Sequence, residues 1–293
     1  MATTTLVDAH THLFPPAQAG RRVALAARDA TFAELYASPR AKMAAVEDLL
    51  VALDRAGIAK AVAAGFAFAG PDDLAEQNGY LLAAQERSGG RIAALATLNP
   101  AAAGWRDAAE GALAAGARGF GELRPHSQGW DPLGRASHAL CDLSAANRVP
   151  LLWHVSEPVG HAYPGKLGGI APAELIELAT AHPETKMVAA HLGGGLSFYL
   201  EMPEVARAIE NVYFDTAAVS LLYSEESVTR LAALAGEQRV LFASDFPLLS
   251  PLRQLERVRA VLRGSAAQAV CGGNADSLFF AAPRLAGSST RNG

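Results

Sequence analysis

A chain of 293 residues, 51% hydrophobic and 18% charged, is long enough to bury a large core, and an α/β barrel can use that length as one domain. Lysine and arginine number 25 against 29 acids, for a formal net charge of −4 without a basic run; this argues for a small-molecule substrate and against nucleic-acid or membrane partners. The two cysteines, Cys141 and Cys271, lack the spacing of a disulfide scaffold and read as buried thiols of a reducing compartment.

The chain runs from Met-Ala-Thr-Thr-Thr into Leu6-Val7 without a cationic start or long apolar core, so no secretory signal is expected and the cytoplasm is the expected location. The first strand-like run, Leu6–His12, carries His10 and His12 two residues apart, which in an extended strand points both imidazoles the same way. Such a pair suits a divalent transition metal, although an exposed loop can carry one too. Further runs follow at Lys60–Phe68, Arg91–Asn99, Ala117–Leu123, Val149–Val155, Lys186–His191, Val212–Thr216 and Val240–Asp245. Between them lie helical stripes: Val46, Leu49, Leu50 and Leu53 ahead of Gly57, Leu133 to Leu143 before Asn147, and Leu175, Ile176 and Ala179 before Pro183.

Eight strands separated by helices predict an α/β fold, a single (β/α)8 TIM barrel over residues 1–282, with a flexible tail over 283–293. An open doubly wound sheet would want a Gly-rich fingerprint after the first strand, where Pro15-Pro16 stands instead. Two connections exceed an ordinary βα loop: a long insertion after strand 1, from Leu13 to about Arg40, and another from Glu157 to about Ala171. Both leave the C-terminal ends of strands, the face on which barrels build active sites.

The strand ends assemble a constellation: His10 and His12 on strand 1, Glu122 on strand 4, His154 on strand 5, His191 on strand 6 and Asp245 on strand 8. Six metal-competent side chains at one end of one barrel exceed what coincidence supplies. Asp8, two before His10, is expected either to accept a hydrogen bond behind the metal site or to be satisfied by backbone donors. Arg124 is expected to clamp a substrate anion or to pair with Glu122. His126 is a candidate pocket residue, and His161, Tyr163 and Lys166 are candidate substrate contacts from the second long loop. Trp153 is expected to face the helices, and Arg21, Arg22 and Arg28 to be solvated or to form a basic rim.

The segments Val7-Asp8-Ala9-His10-Thr11-His12, Gly121-Glu122-Leu123-Arg124, His154, His191-Leu192-Gly193-Gly194-Gly195, Ser244-Asp245-Phe246-Pro247 and Gly273-Asn274-Ala275 together resemble the metal-dependent amidohydrolase superfamily. The resemblance is strongest to its amidohydrolase-related branch, which includes aminocarboxymuconate semialdehyde decarboxylase, and extends to TatD-like hydrolases in the glutamate at strand 4. It implies that His10, His12 and Asp245 hold the more buried metal, while His154 and His191 bind a second metal or contact substrate. Glu122 can bridge two cations or serve as an ordinary ion-paired carboxylate. The expected cofactor is one or two divalent ions, zinc first, with manganese, iron or cobalt as alternatives. The expected activity is hydrolysis of a small ester, lactone, amide or related bond by metal-activated water, with Asp245 shuttling the proton and His191 or His154 steadying the oxyanion. The alternatives are a metal-dependent non-oxidative decarboxylase and, more remotely, a non-catalytic metal-binding barrel; a homodimer is also expected.

Overall fold

The computed structural model describes residues 5–281, so the tail expected over 283–293 lies outside the described residues. Eight strands occur in chain order: β1 (Val7–His12), β2 (Lys60–Ala64), β3 (Ile92–Ala96), β4 (Gly119–Leu123), β5 (Leu151–Trp153), β6 (Met187–Ala189), β7 (Val212–Asp215) and β8 (Val240–Leu241). Each pairs in parallel with the next, as strands joined by helical crossovers must. The ring closes beyond β8: Ala9 N–H donates to the Phe242 carbonyl (2.8 Å), Asp245 N–H to that of His10 (3.0 Å), and Thr11 bridges Phe246. The fold is therefore the expected (β/α)8 barrel. Its last strand, Val240–Leu241, is shorter than the run Val240–Asp245, and Asp245 adopts a φ of 61°, which turns the chain out of extended geometry there.

Alternate strand positions feed two apolar layers, as a period of two requires. Ala61, Ala63, Ala94, Phe120, Leu151, Trp153 and Phe214 pack with helical residues such as Leu49, Leu53, Leu81, Leu140 and Leu175. Val7, Ala9, Val62, Ala64, Leu95, Leu152, Val188 and Leu241 form a separate cluster with few helical partners, which is the barrel interior. Trp153 thus faces the helices, against Trp130, as the alternation predicts.

The insertion after β1 contains three short helices, α1 (Pro16–Gly20), α2 (Arg22–Arg28) and α3 (Ala30–Tyr36), before the barrel helix α4 (Val46–Ala56). Asp29 caps α3 by accepting from Phe32 N–H (2.8 Å), and Gly57 ends α4 at a φ of 65°. Phe14, Phe32 and Tyr36 of the insertion pack with Phe66 and Phe68 from beyond β2, with ring centroids 4.8–6.2 Å apart, which fixes the insertion over one side of the barrel mouth. Residues 156–171 carry no helix or strand beyond the Val155–Ile170 bridge. Among the described residues no helix is long and apolar enough to cross a membrane.

Candidate active site

The histidines and carboxylates at the C-terminal mouth of the barrel leave from strand ends or the first residues beyond them, where side chains turn towards a common axis. His10 and His12 leave β1, Glu122 leaves β4, and His154 follows β5 directly. His191 sits beyond β6 rather than at its end. It opens a run of five left-handed residues, His191 to Gly195, of which three are glycine because that conformation crowds a Cβ. Asp245 is likewise held at positive φ, its N–H on the His10 carbonyl and its own carbonyl accepting from Leu248 (2.8 Å).

These six side chains meet. His10 Nε2 lies 3.0 Å from His12 Nε2 and 3.9 Å from Glu122 Oε1; His12 Nε2 lies 3.8 Å from Glu122 Oε2 and 3.5 Å from Asp245 Oδ1. His154 Nδ1 is 2.7 Å from Glu122 Oε1, and His191 Nε2 is 3.8 Å from Asp245 Oδ2. Two overlapping groups have ligand atoms within 4.8 Å of one another, His10 with His12 and Glu122, and Glu122 with His154 and His191. Glu122 belongs to both.

The ring partners fix where lone pairs point. His10 Nδ1 faces the Asp215 carboxylate (2.8 Å), His12 Nδ1 the Gly65 carbonyl (3.3 Å) and His191 Nδ1 the Val155 carbonyl (3.4 Å). Carboxylate and carbonyl oxygens only accept, so each Nδ1 carries a proton and each ring turns its Nε2 inward. His154 is contacted by acceptors on both sides, Glu122 Oε1 at 2.7 Å and the Gly165 carbonyl at 2.9 Å. Burial, with Arg124 adding to it, pushes His154 down to about 4, so the ring is neutral and has one proton for two oxygens. Ring nitrogens and carboxylates converging at 3–4 Å form a donor set that a cation completes. Burial opposes charge on His10, yet Asp215, Glu122 and Asp245 together raise it to about 10, so a cation entering the cluster would displace a proton from its Nε2. Burial and the adjacent His10 lower His12, whereas Glu122, though buried, is held well below the usual carboxylate range by the histidines around it.

Asp215, which closes β7, escaped the sequence reading. Its Oδ2 orients His10, while its Oδ1 accepts the backbone N–H of His191 (2.9 Å) and of Ala217 (3.0 Å). A fully buried acid at a strand end is the same signal that identified Glu122. Asp8 does not touch a histidine ring. It accepts from Ser244 N–H (2.9 Å) and the Ser244 hydroxyl (2.5 Å), and Ser244 Oγ in turn accepts from Phe246 N–H (3.1 Å), so the pair braces the backbone on both sides of Asp245.

A cavity of about 520 Å³ opens above the cluster. His161 and Tyr163 line it as expected, but Lys166 does not: its ammonium donates to the Val159 and His161 carbonyls (2.6 and 2.8 Å) within its own loop. His126 also lies away from the cavity, its Nε2 on the Glu174 carboxylate (3.0 Å), because Pro125 starts a short helix that carries it outward. Arg124 reaches the cavity wall but forms no ion pair with Glu122 among the described residues. Its Nη2 donates to the carbonyls of Gly165 (2.8 Å) and Leu167 (2.7 Å) and its Nε to Ser127 Oγ (3.3 Å), fastening the second long loop. The same loop is tied by Glu157, which accepts from the hydroxyls of Tyr163 (2.7 Å) and Tyr223 (2.5 Å), and by Gly165 N–H donating to Glu34 (3.0 Å) of the first insertion.

A parallel eight-stranded barrel with four histidines and two carboxylates converging at its C-terminal mouth has the architecture of a (β/α)8 enzyme. The chain belongs to the amidohydrolase family, whose model matches residues 7–281. Among solved structures it is similar to 5-carboxyvanillate decarboxylase from Sphingomonas paucimobilis, at 16% identity and a TM-score of 0.76, covering 95% of this chain and 99% of that one. The 5-carboxyvanillate decarboxylase of Novosphingobium aromaticivorans, complexed with manganese and 4-hydroxy-3-methoxy-5-nitrobenzoic acid, matches at 19% identity and a TM-score of 0.72, over 94% and 96% of the two chains. A candidate 2-pyrone-4,6-dicarboxylic acid hydrolase from Pseudomonas putida matches at 18% identity and a TM-score of 0.68, over 95% and 98%. These identities speak to the fold. No curated protein gives a significant match.

Proposed function

We propose that the protein is a metal-dependent hydrolase of a small ester, lactone, amide or related bond. The observation that supports this reading is the inward donor set, with the Nε2 atoms of His10, His12 and His191 turned to the cluster and a Glu122 carboxylate common to both clusters. His10, His12, Glu122 and Asp245 would hold one divalent ion, and Glu122, His154 and His191 a second. Imidazole and carboxylate donors suit zinc, and the manganese in a structural neighbour supports manganese beside it. A divalent ion there supplies Lewis acidity and lowers the pKa of a coordinated water from about 15.7 towards roughly 7.

The chain's own groups do the rest. Asp245, with Oδ1 towards His12 and Oδ2 towards His191, takes the proton from the attacking water and returns it to the leaving group. Where His191 is not a ligand, its Nε2, 3.8 Å from Asp245 Oδ2, shares that proton and steadies the negative charge that develops on the attacked oxygen. Arg124 keeps the cavity wall closed against solvent by holding Gly165 and Leu167.

Non-oxidative decarboxylation is the second reading, favoured by the likeness to two 5-carboxyvanillate decarboxylases. Here the same Asp245–His191 pair would deliver a proton to carbon as carbon dioxide leaves. Turnover in ¹⁸O-labelled water separates the two: hydrolysis places the label in the product acid, and decarboxylation releases carbon dioxide without labelling the product. Asp245→Asn should abolish turnover while circular dichroism stays unchanged; activity surviving that substitution would remove Asp245 from the proton path.

A further inference from the structure

The cations of the first insertion divide into two sets. Arg21 pairs with Glu76, Arg28 with Asp73, and Arg22 donates to the carbonyls of Tyr36 and Ser38. None of these three lines the cavity, which leaves the basic rim aside in favour of the solvated alternative. Arg40 and Lys42 do line it, and among the described residues neither side chain has an ion-pair or hydrogen-bond partner. The only carboxylates in the cavity lining, Glu122 and Asp245, belong to the histidine cluster.

The segment that carries these cations is built. Arg22 holds the carbonyls of Tyr36 and Ser38, Ser38 Oγ accepts from Arg40 N–H (3.3 Å), and Tyr36 is packed against Phe14 and Phe32. Between rim and cluster the wall is apolar, with Leu35, Tyr36, Phe66, Leu222, Pro247 and Leu248. An unpaired guanidinium beside an unpaired ammonium raises the local concentration of anions and binds a carboxylate or phosphate strongly once the ligand body excludes water.

We propose that Arg40 and Lys42 bind an anionic group at the outer end of the substrate. The substrate class is then a small molecule with a flat apolar body, its scissile bond at one end and a carboxylate or phosphate at the other. This rests on the reading that chemistry occurs at the histidine–carboxylate cluster.

Calorimetric titration of the manganese-loaded protein with benzoate, benzene-1,4-dicarboxylate, benzene-1,3-dicarboxylate and 4-phosphonobenzoate tests the assignment. At least one dianion should bind about 10-fold tighter than benzoate, and whether it is a dicarboxylate or the phosphonate identifies the outer group. In the double variant Arg40→Ala/Lys42→Ala that dianion should fall to the affinity of benzoate, while benzoate itself changes by less than about 2-fold. Wild-type protein that binds no dianion better than benzoate overturns the proposal, as does a dianion preference that persists in the double variant. Metal content measured on the same samples keeps the two readings apart: its absence defeats the hydrolase reading, whereas wild-type protein with full metal content and no dianion preference defeats this one alone.

Discussion

Glu122 is the residue on which the chemistry of the site turns, because it alone belongs to both groups of converging ligands. Glu122→Gln should bring bound metal to one ion per chain or fewer by elemental analysis, since a neutral amide bridges two cations poorly. Asp215 acts one step back, through His10. Asp215→Asn should weaken metal binding by about 10- to 100-fold in equilibrium dialysis, with the barrel still folded. The histidines and Glu122 were readable in the sequence because they stand at or just beyond the ends of apolar runs that read as strands. Asp215 ends a strand equally well, but it has no motif around it and shows its role only when its carboxylate is seen on His10 Nδ1. His126 and Lys166 mark the opposite limit. Position just past a strand end for His126, and on the second long loop for Lys166, placed them near the mouth, and a local helix start and local carbonyls turned their side chains elsewhere.

The two long connections carry specificity at the scale of elements, and they are interlocked rather than independent. Glu34 of the first insertion meets Gly165 of the second loop, and Arg124 holds the same glycine from β4. Glu157 latches the second loop between two tyrosines. Partial burial opposes its charge, yet the hydroxyls of Tyr223 and Tyr163 hold it below the ordinary carboxylate range. A depressed carboxylate contributes its stabilisation above its unfolded pKa of about 4.3 and loses it as pH falls through the lower folded value. Glu157→Gln should therefore speed amide exchange over residues 157–171 several-fold at pH 7, consistent with about 1 kcal/mol for a lost charged hydrogen bond. The difference from wild type should vanish only once pH falls below that lowered folded value, where the native carboxyl is protonated as well. Loop lengths were legible from the spacing of apolar runs, but the latch was not, because its three residues are spread from 157 to 223. The left-handed turn after β6 is similar. Its glycines announce a sharp turn, while the reason Gly194 must be glycine is the Ser156 backbone 2.6 Å from where a Cβ would stand. Gly194→Ala should lower stability by about 1–2 kcal/mol in urea unfolding, from the positive φ alone.

At the scale of the whole molecule, the barrel was legible because parallel strands buried on both sides must alternate with helices that cover them, and this chain keeps that alternation eight times. What could not be read was closure, which depends on hydrogen bonds from residues 242–246 to β1 across the full length of the chain. Closure also forms the site, since the backbone that seals β1 to β8 is the backbone that carries His10 and Asp245. Metal and barrel should therefore be coupled. At a free ion concentration 100 times the dissociation constant, loading should stabilise the folded chain by about 2.7 kcal/mol, seen as a rise in Tm that a chelator reverses. The most direct test of the central claim is anomalous diffraction at the metal edge from crystals of protein loaded with zinc or manganese. The account predicts a peak between His10 Nε2, His12 Nε2, Glu122 and Asp245, with any second ion sharing Glu122. An empty cluster, or a peak bound elsewhere in the chain, would contradict it.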